Sequence, residues 1–237
     1  SMSDNVSIHV TPSLHPDNVK SIDGYDADTE AVLAPTMTAF SEAYQAVVAV
    51  HAAREAAKTN PAWNEAQVVI ETDNLARRKT EQVTRNFDVV RGNLVKGIAH
   101  IEAELSAPIS TKAAATVATE IRAFVRDMST EAKHKFIQEA LDSGDEVTVS
   151  SLLGAPPYLS GLTAEFQRVY TRQWHERTSS DMAKRLRVMV GAKELIERNG
   201  PLLFGAMEKA VGAPPHKARA LREAKTAAEK HFVMTGA

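Results

Sequence analysis

From Ala62 to Leu105 the chain runs for some 44 residues without a proline, and apolar side chains recur along it at helical spacing. Ala66, Val69, Ala76, Val83, Phe87, Val90, Leu94, Ile98, Ile101 and Leu105 fall on one stripe of a 3.6-residue helix. A periodic run of this length exceeds the usual globular helix and reads as a coiled-coil-like element. Pro61 and Pro108 bound it, because proline suits a first helical turn and not a helix interior. The stripe is flawed at three places. Asp73 and Thr80 stand where apolar residues belong, and Gly97 interrupts the register beside Ile98. A polar residue on such a seam costs stability and fixes register or partner.

The rest of the chain reads in the same way. Aromatic residues make up only 5% of it, and alanine, the strongest helix former, is abundant. Helices are expected over residues 36–58, 110–128 and 129–141, followed by a short one capped by Asp145 and reaching Leu153. A second long segment covers 163–199, with a break expected in its polar middle, His175–Asp181, where Thr178 and Asp181 have capping-box spacing. A short apolar helix follows Pro201, and a basic one covers 215–233. Gly-Ala-Pro-Pro occurs twice, at 154–157 and 212–215, with unrelated flanks. In both places glycine ends a helix and two prolines forbid its continuation, so the repeat is punctuation.

Residues 1–35 read as an N-terminal arm. Val6, Ile8 and Val10 alternate with Ser7, His9 and Thr11 in a strand-like way, and Pro12, Pro16, Gly24 and Pro35 keep the chain irregular after them. Such an arm adds to a partner's sheet edge or packs along its own helices. The expected class is therefore all-α: a helical bundle with one or two very long coiled-coil-like helices and an extended N-terminal arm. The expected division is an arm over 1–35 and a helical domain over 36–237, with a sub-boundary near 142–162.

Composition removes several functions. With no cysteine, disulfides, thiolate metal sites and cysteine nucleophiles are excluded. No apolar run approaches the roughly 18 residues of a membrane span, and no membrane partner is expected. Residues 1–10 lack the basic-then-apolar pattern of a signal peptide, so a cytoplasmic location is expected. A di-iron bundle needs two Glu-x-x-His motifs, and only Glu131–His134 has that spacing. Hydrolase elbow, zinc-protease, phosphate-loop and dinucleotide motifs are absent too. The expectation is a protein with no catalytic residues, no metal and no cofactor.

Charge is unevenly spread. Residues 1–35 hold six acids against Lys20, and residues 152–237 hold 14 Lys or Arg against eight acids. Three candidate sites follow. His216, Lys217 and Arg219 put positive charge at a helix start that prefers negative charge, which suits an anion. Lys184, Arg185, Arg187, Arg222 and Lys225 supply phosphate-neutralising charge for a nucleic acid. His175 and Glu176 would meet Asp73, Arg77 or Arg78 if the two long helices paired antiparallel, making a polar layer for acid–base chemistry or a small molecule. The leading expectation is a non-enzymatic interaction or assembly protein of the bacterial or phage structural or adaptor type. Its partner would be another protein or itself as a homo-oligomer. A nucleic-acid-associated protein ranks second, and a helical enzyme or small-molecule binder third.

Overall fold

Proline, glycine and a few capping side chains set where the helices of this chain stop, and buried apolar stripes set which faces meet. The structure, a computed structural model, describes residues 10–234. Among them there are nine α-helices and no strand: α1 (Glu30–Ala57), α2 (Glu65–Leu105), α3 (Ala115–Arg126), α4 (Thr130–Ser143), α5 (Glu146–Leu153), α6 (Ala164–Thr178), α7 (Ser180–Asn199), α8 (Leu202–Val211) and α9 (Pro215–Glu229). Short 3-10 turns occupy Pro12–Leu14, Pro16–Ser21, Pro157–Leu159 and Lys230–Phe232. The class is all-α, and among the described residues no helix is long and apolar enough to cross a membrane.

The described chain forms two compact units. One comprises residues 10–95 and 187–234, the other residues 96–186, so the dividing points fall inside α2 and α7. Residues 142–162 lie wholly within the second unit, where Val149, Leu152 and Leu153 are buried in its core.

In the first unit α1 supplies the centre. Leu33, Phe40, Ala43, Val47 and Val50 are fully buried at helical spacing, and the small Ala39 and Ala46 let neighbours approach closely. They pack with Val69, Ala76, Val83, Phe87 and Leu94 of α2, with Val188, Ala192, Leu195 and Ile196 of α7, and with Leu203, Met207 and Ala210 of α8. Phe40 meets Phe87 edge-on, ring centres 5.0 Å apart.

The segment before α1 is fastened to this core. Val10, Leu14 and Val19 are buried. The Asn18 amide donates to the Pro12 and His15 carbonyls at 2.7 and 3.0 Å, and Asn199 donates to the Ser13 carbonyl at 2.9 Å. The strand-like pattern at residues 6–11 lies, apart from Val10 and Thr11, outside the described residues. The helix expected from residue 36 begins at Glu30, and Pro35 lies inside it. Asp26 and Thr29 explain the early start through a reciprocal capping box. Asp26 Oδ1 accepts from the Thr29 N–H at 3.2 Å, and Thr29 Oγ1 accepts from the Asp26 N–H at 2.9 Å. The hydrogen bond that Pro35 cannot make is offset by burial of Leu33, Ala39 and Phe40 around it.

In the second unit α3 to α6 enclose Val125, Ile137, Leu141, Leu152, Tyr170 and Trp174. Ser129, Asp145 and Thr163 each accept a backbone N–H at their helix start, at 3.2, 3.1 and 3.1 Å. The long segment 163–199 does break, at Ser179, whose backbone leaves the helical region. The capping-box expectation for Thr178 is corrected, because its hydroxyl instead donates back to the Trp174 carbonyl at 2.9 Å. The helix expected from residue 110 starts only at Ala115, since Thr111 and Lys112 are hydrogen-bonded to Ser150 of α5.

The two Gly-Ala-Pro-Pro stretches end their helices by different means. Gly212 takes the left-handed conformation of a helix cap, with φ 77°. Gly154 does not (φ −88°), and glycine is needed there because a Cβ would lie 2.8 Å from the Thr111 backbone nitrogen.

Replacing Phe40 by Ala should cost about 3–5 kcal/mol, read from the urea midpoint of the helical circular dichroism signal, because a fully buried aromatic leaves a cavity. A second expectation concerns pH. Hydrogen bonds from Lys193 and then Arg91 hold the Glu197 carboxyl below the ordinary carboxylate range. A depressed carboxylate stabilises the fold at neutral pH, and that contribution is lost as pH falls through its folded-state value. The Glu197→Gln variant should therefore lose thermal stability at neutral pH relative to the parent, with the difference closing below about pH 4.

Candidate functional site

The flaw in the α2 stripe is where a site begins. Asp73 is buried although charged, at 9% exposure, which is tolerable only with a partner. The partner comes from α9. Arg222 Nη2 pairs with Asp73 Oδ2, and Arg222 Nε donates to Asn74 Oδ1 at 3.0 Å. Two adjacent polar residues of α2 thus receive two faces of one guanidinium, and α9 is fastened against α2.

Beyond this fastening, α2, α8 and the first half of α9 leave an open groove of about 1030 Å³ in the first unit. Its floor is small and apolar: Ala76, Met207, Val211 and Ala213 are all nearly buried. Phe204 stands on its lip with 58% of its surface exposed. The rim is charged. Glu81 and Arg85 pair at 3.7 Å on α2, while Arg77, Asp88, Glu208, Arg219 and Glu223 make no ion pair among the described residues. An apolar floor within a mixed polar rim is the anatomy of a docking surface for an apolar segment with flanking charge.

The residues singled out from the sequence fall unevenly around this groove. Of the anion-site trio, Arg219 lines it; His216 and Lys217 are exposed on the first turn of α9 and do not. No side chain caps that helix start. Of the nucleic-acid set, Arg222 is committed to Asp73, and Lys225 lies 3.8 Å from Glu229. Arg187 is exposed in the first unit, whereas Lys184 and Arg185 belong to the second. The polar layer expected around His175 finds other partners. His175 Nε2 donates to the Ala107 carbonyl at 2.8 Å within the second unit, and Asp73 is taken by Arg222. His134 of the lone Glu-x-x-His spacing bonds through Nδ1 to the Tyr170 hydroxyl and lies 4.3 Å from Phe166, centre to centre, with the ring planes tilted by 49°. Burial raises the Tyr170 hydroxyl above its ordinary range, so it stays protonated. Among the described residues no cluster of three or more His, Asp or Glu side chains is placed to hold a metal ion.

Sequence reasoning missed the groove itself. The polar positions on α2 and the basic positions on α9 were both visible, but they are 149 residues apart and nothing local joins them. Comparison with known protein families, with curated proteins and with solved structures finds no match to this chain. A functional reading therefore rests on the geometry of the site.

The Arg222→Ala variant should be destabilised by roughly 2–3 kcal/mol in urea unfolding, since it strands the Asp73 carboxylate in a largely dry place. Replacing both partners, Asp73→Leu with Arg222→Leu, should recover most of that loss, because no buried charge is then left alone.

Proposed function

We propose that this chain is a non-enzymatic helical assembly protein that self-associates by seating the C-terminal end of one copy in the groove of the next. One observation carries the reading: the same chain presents an open, apolar-floored groove and an unburied apolar segment. After α9, Phe232, Val233 and Met234 are 85%, 68% and 93% exposed. Three consecutive large apolar residues in water are an unusual surface for a chain that stays alone.

The segment suits the groove of a second copy rather than its own. The α9 residues lining the groove end at Glu223, and Phe232 lies nine positions further along the same helical stretch, about 13 Å beyond. Lys230 and His231 precede the apolar residues, and Asp88, Glu208 and Glu223 on the rim are unpaired carboxylates that suit them. The largely polar stretch of α2 from Asp73 to Asp88, anchored by the buried stripe on another side of the helix, would serve as the wall of the docking site. A segment-in-groove contact joins two different surfaces, so it closes by reciprocal exchange between two copies, or as a larger ring, or continues as an open chain. Three apolar side chains seated in a groove bury well under 1,200 Å², which predicts weak, concentration-dependent association. Arg222 and Lys225 are already engaged with carboxylates, so these observations favour self-assembly over nucleic-acid binding.

Light scattering coupled to size exclusion, at concentrations from about 10 to 500 µM, should show a mass rising above the monomer. Phe232→Asp on the tail and Phe204→Asp on the groove lip should each return the monomer, both positions being exposed and safe for the fold. Mixing the two single variants should restore one tail–groove contact per pair and yield a dimer. A strict monomer over the whole range, or an oligomer that survives both variants together, refutes the reading.

A further inference from the structure

The second unit contains a cleft of its own, about 800 Å³, walled by the loop after α2, the first turns of α5 and the last turn of α6. We infer that this cleft binds a small organic phosphate, with Lys112 and Arg177 holding the phosphate and Trp174 and Ile109 flanking the organic body.

Charge comes first. The lining carries two full cations, Lys112 and Arg177, against one carboxylate, Glu146, and none of the three is ion-paired among the described residues. Three other arginines of this unit are engaged: Arg172 is shared between Glu102 and Glu176, and Arg122 and Arg126 donate to backbone carbonyls. A planar guanidinium beside a mobile ammonium is the donor set that a phosphate takes, one as a fork and the other as a point charge.

The loop that bears Lys112 is held in place by bonds with no other evident purpose. The Lys112 N–H donates to Ser150 Oγ at 2.9 Å, and Thr111 Oγ1 donates to the Ser150 carbonyl at 3.3 Å. Arg122 clamps both ends, donating to the Ser151 carbonyl at 2.7 Å and to Thr111 Oγ1 at 3.2 Å. On the far side His175 donates from Nε2 to the Ala107 carbonyl at 2.8 Å, tying the start of the loop to α6. A carbonyl only accepts, so this bond fixes the proton on Nε2. Arg177 has its own seat. Its guanidinium lies over Gly144, where a Cβ would come within 2.9 Å of Nη2, so the glycine that caps α4 also makes room for the arginine. An arginine seated in this way, beside a loop whose backbone is fixed, loses little freedom when a ligand arrives.

Size and wall chemistry extend the reading from an ion to an organic phosphate. The cleft is far larger than inorganic phosphate and lies within the range of small-molecule sites. The Trp174 indole is largely buried with one edge on the cleft, and Ile109 is half-buried beside it. Glu146 on the same lining disfavours a ligand that is anionic all over.

The chain has two tryptophans, Trp63 and Trp174, so a Trp63→Phe background makes fluorescence report on Trp174 alone. Phenyl phosphate should change that fluorescence saturably at up to about 10 mM, and inorganic phosphate should compete with it. Arg177→Ala and Lys112→Ala should each weaken binding by about tenfold, the loss expected for one charge-assisted contact, with circular dichroism unchanged. Lys96→Ala, outside the cleft, should leave binding intact. The inference is overturned by a flat titration, by phenol binding as well as phenyl phosphate, or by unchanged affinity in both cleft variants. It is equally overturned if only a short single-stranded oligonucleotide binds, since that would make the cleft part of a nucleic-acid surface.

Discussion

The buried stripe of α2 is the constraint on which the rest depends. Val69, Ala76, Val83, Phe87 and Leu94 are buried in the first unit, and Ile101 and Leu105 in the second. Their spacing keeps one face of a 41-residue helix largely apolar along its length, with Asp73 and Thr80 as departures. That face accepts Phe40 of α1 through the edge-on ring contact with Phe87, and the first core forms around it. Without such a stripe an alanine-rich, aromatic-poor chain has few large side chains with which to specify one packing.

Departures from the stripe matter as much as the stripe. Asp73 takes a seam position that packing alone would give to an apolar residue, and Arg222 of α9 answers it. A buried pair of this kind contributes little net stability beyond what an apolar pair would, and its use lies in register. Of the α9 positions, Arg222 is the one that reaches Asp73 and Asn74 together, so the helix is placed along α2 at one setting. The groove between α2, α8 and α9 is bordered by helices held at that setting.

The second unit shows the same economy with polar groups. Thr111, Lys112, Arg122, Ser150 and His175 spend their hydrogen bonds on one loop, and the two cations beside that loop have no ion-pair partner among the described residues. Polar networks that are fully satisfied make rigid surroundings, and unpaired charges within rigid surroundings are where a ligand is recognised.

Much of the architecture could be read locally. The helical class, the periodic face of α2, the break near residue 179, the Asp145 cap and the helix end at Gly212 all follow from spacing and from the backbone habits of proline, glycine and capping residues. These are short-range effects, decided within a turn or two of chain, so the sequence by itself determines them. Glu30 as the start of α1 was already harder, because Pro35 argues locally against it and only burial of Leu33 and Phe40 outweighs the lost hydrogen bond. Gly154 ends its helix as the sequence suggests, but what requires glycine there is a neighbouring backbone at Thr111 and not its own φ. The partners of Asp73 and His175, the groove and the cleft were decided by tertiary structure alone. Each joins residues tens to over a hundred positions apart, and a charge or a donor carries no mark in the sequence of which distant group packing will bring to it.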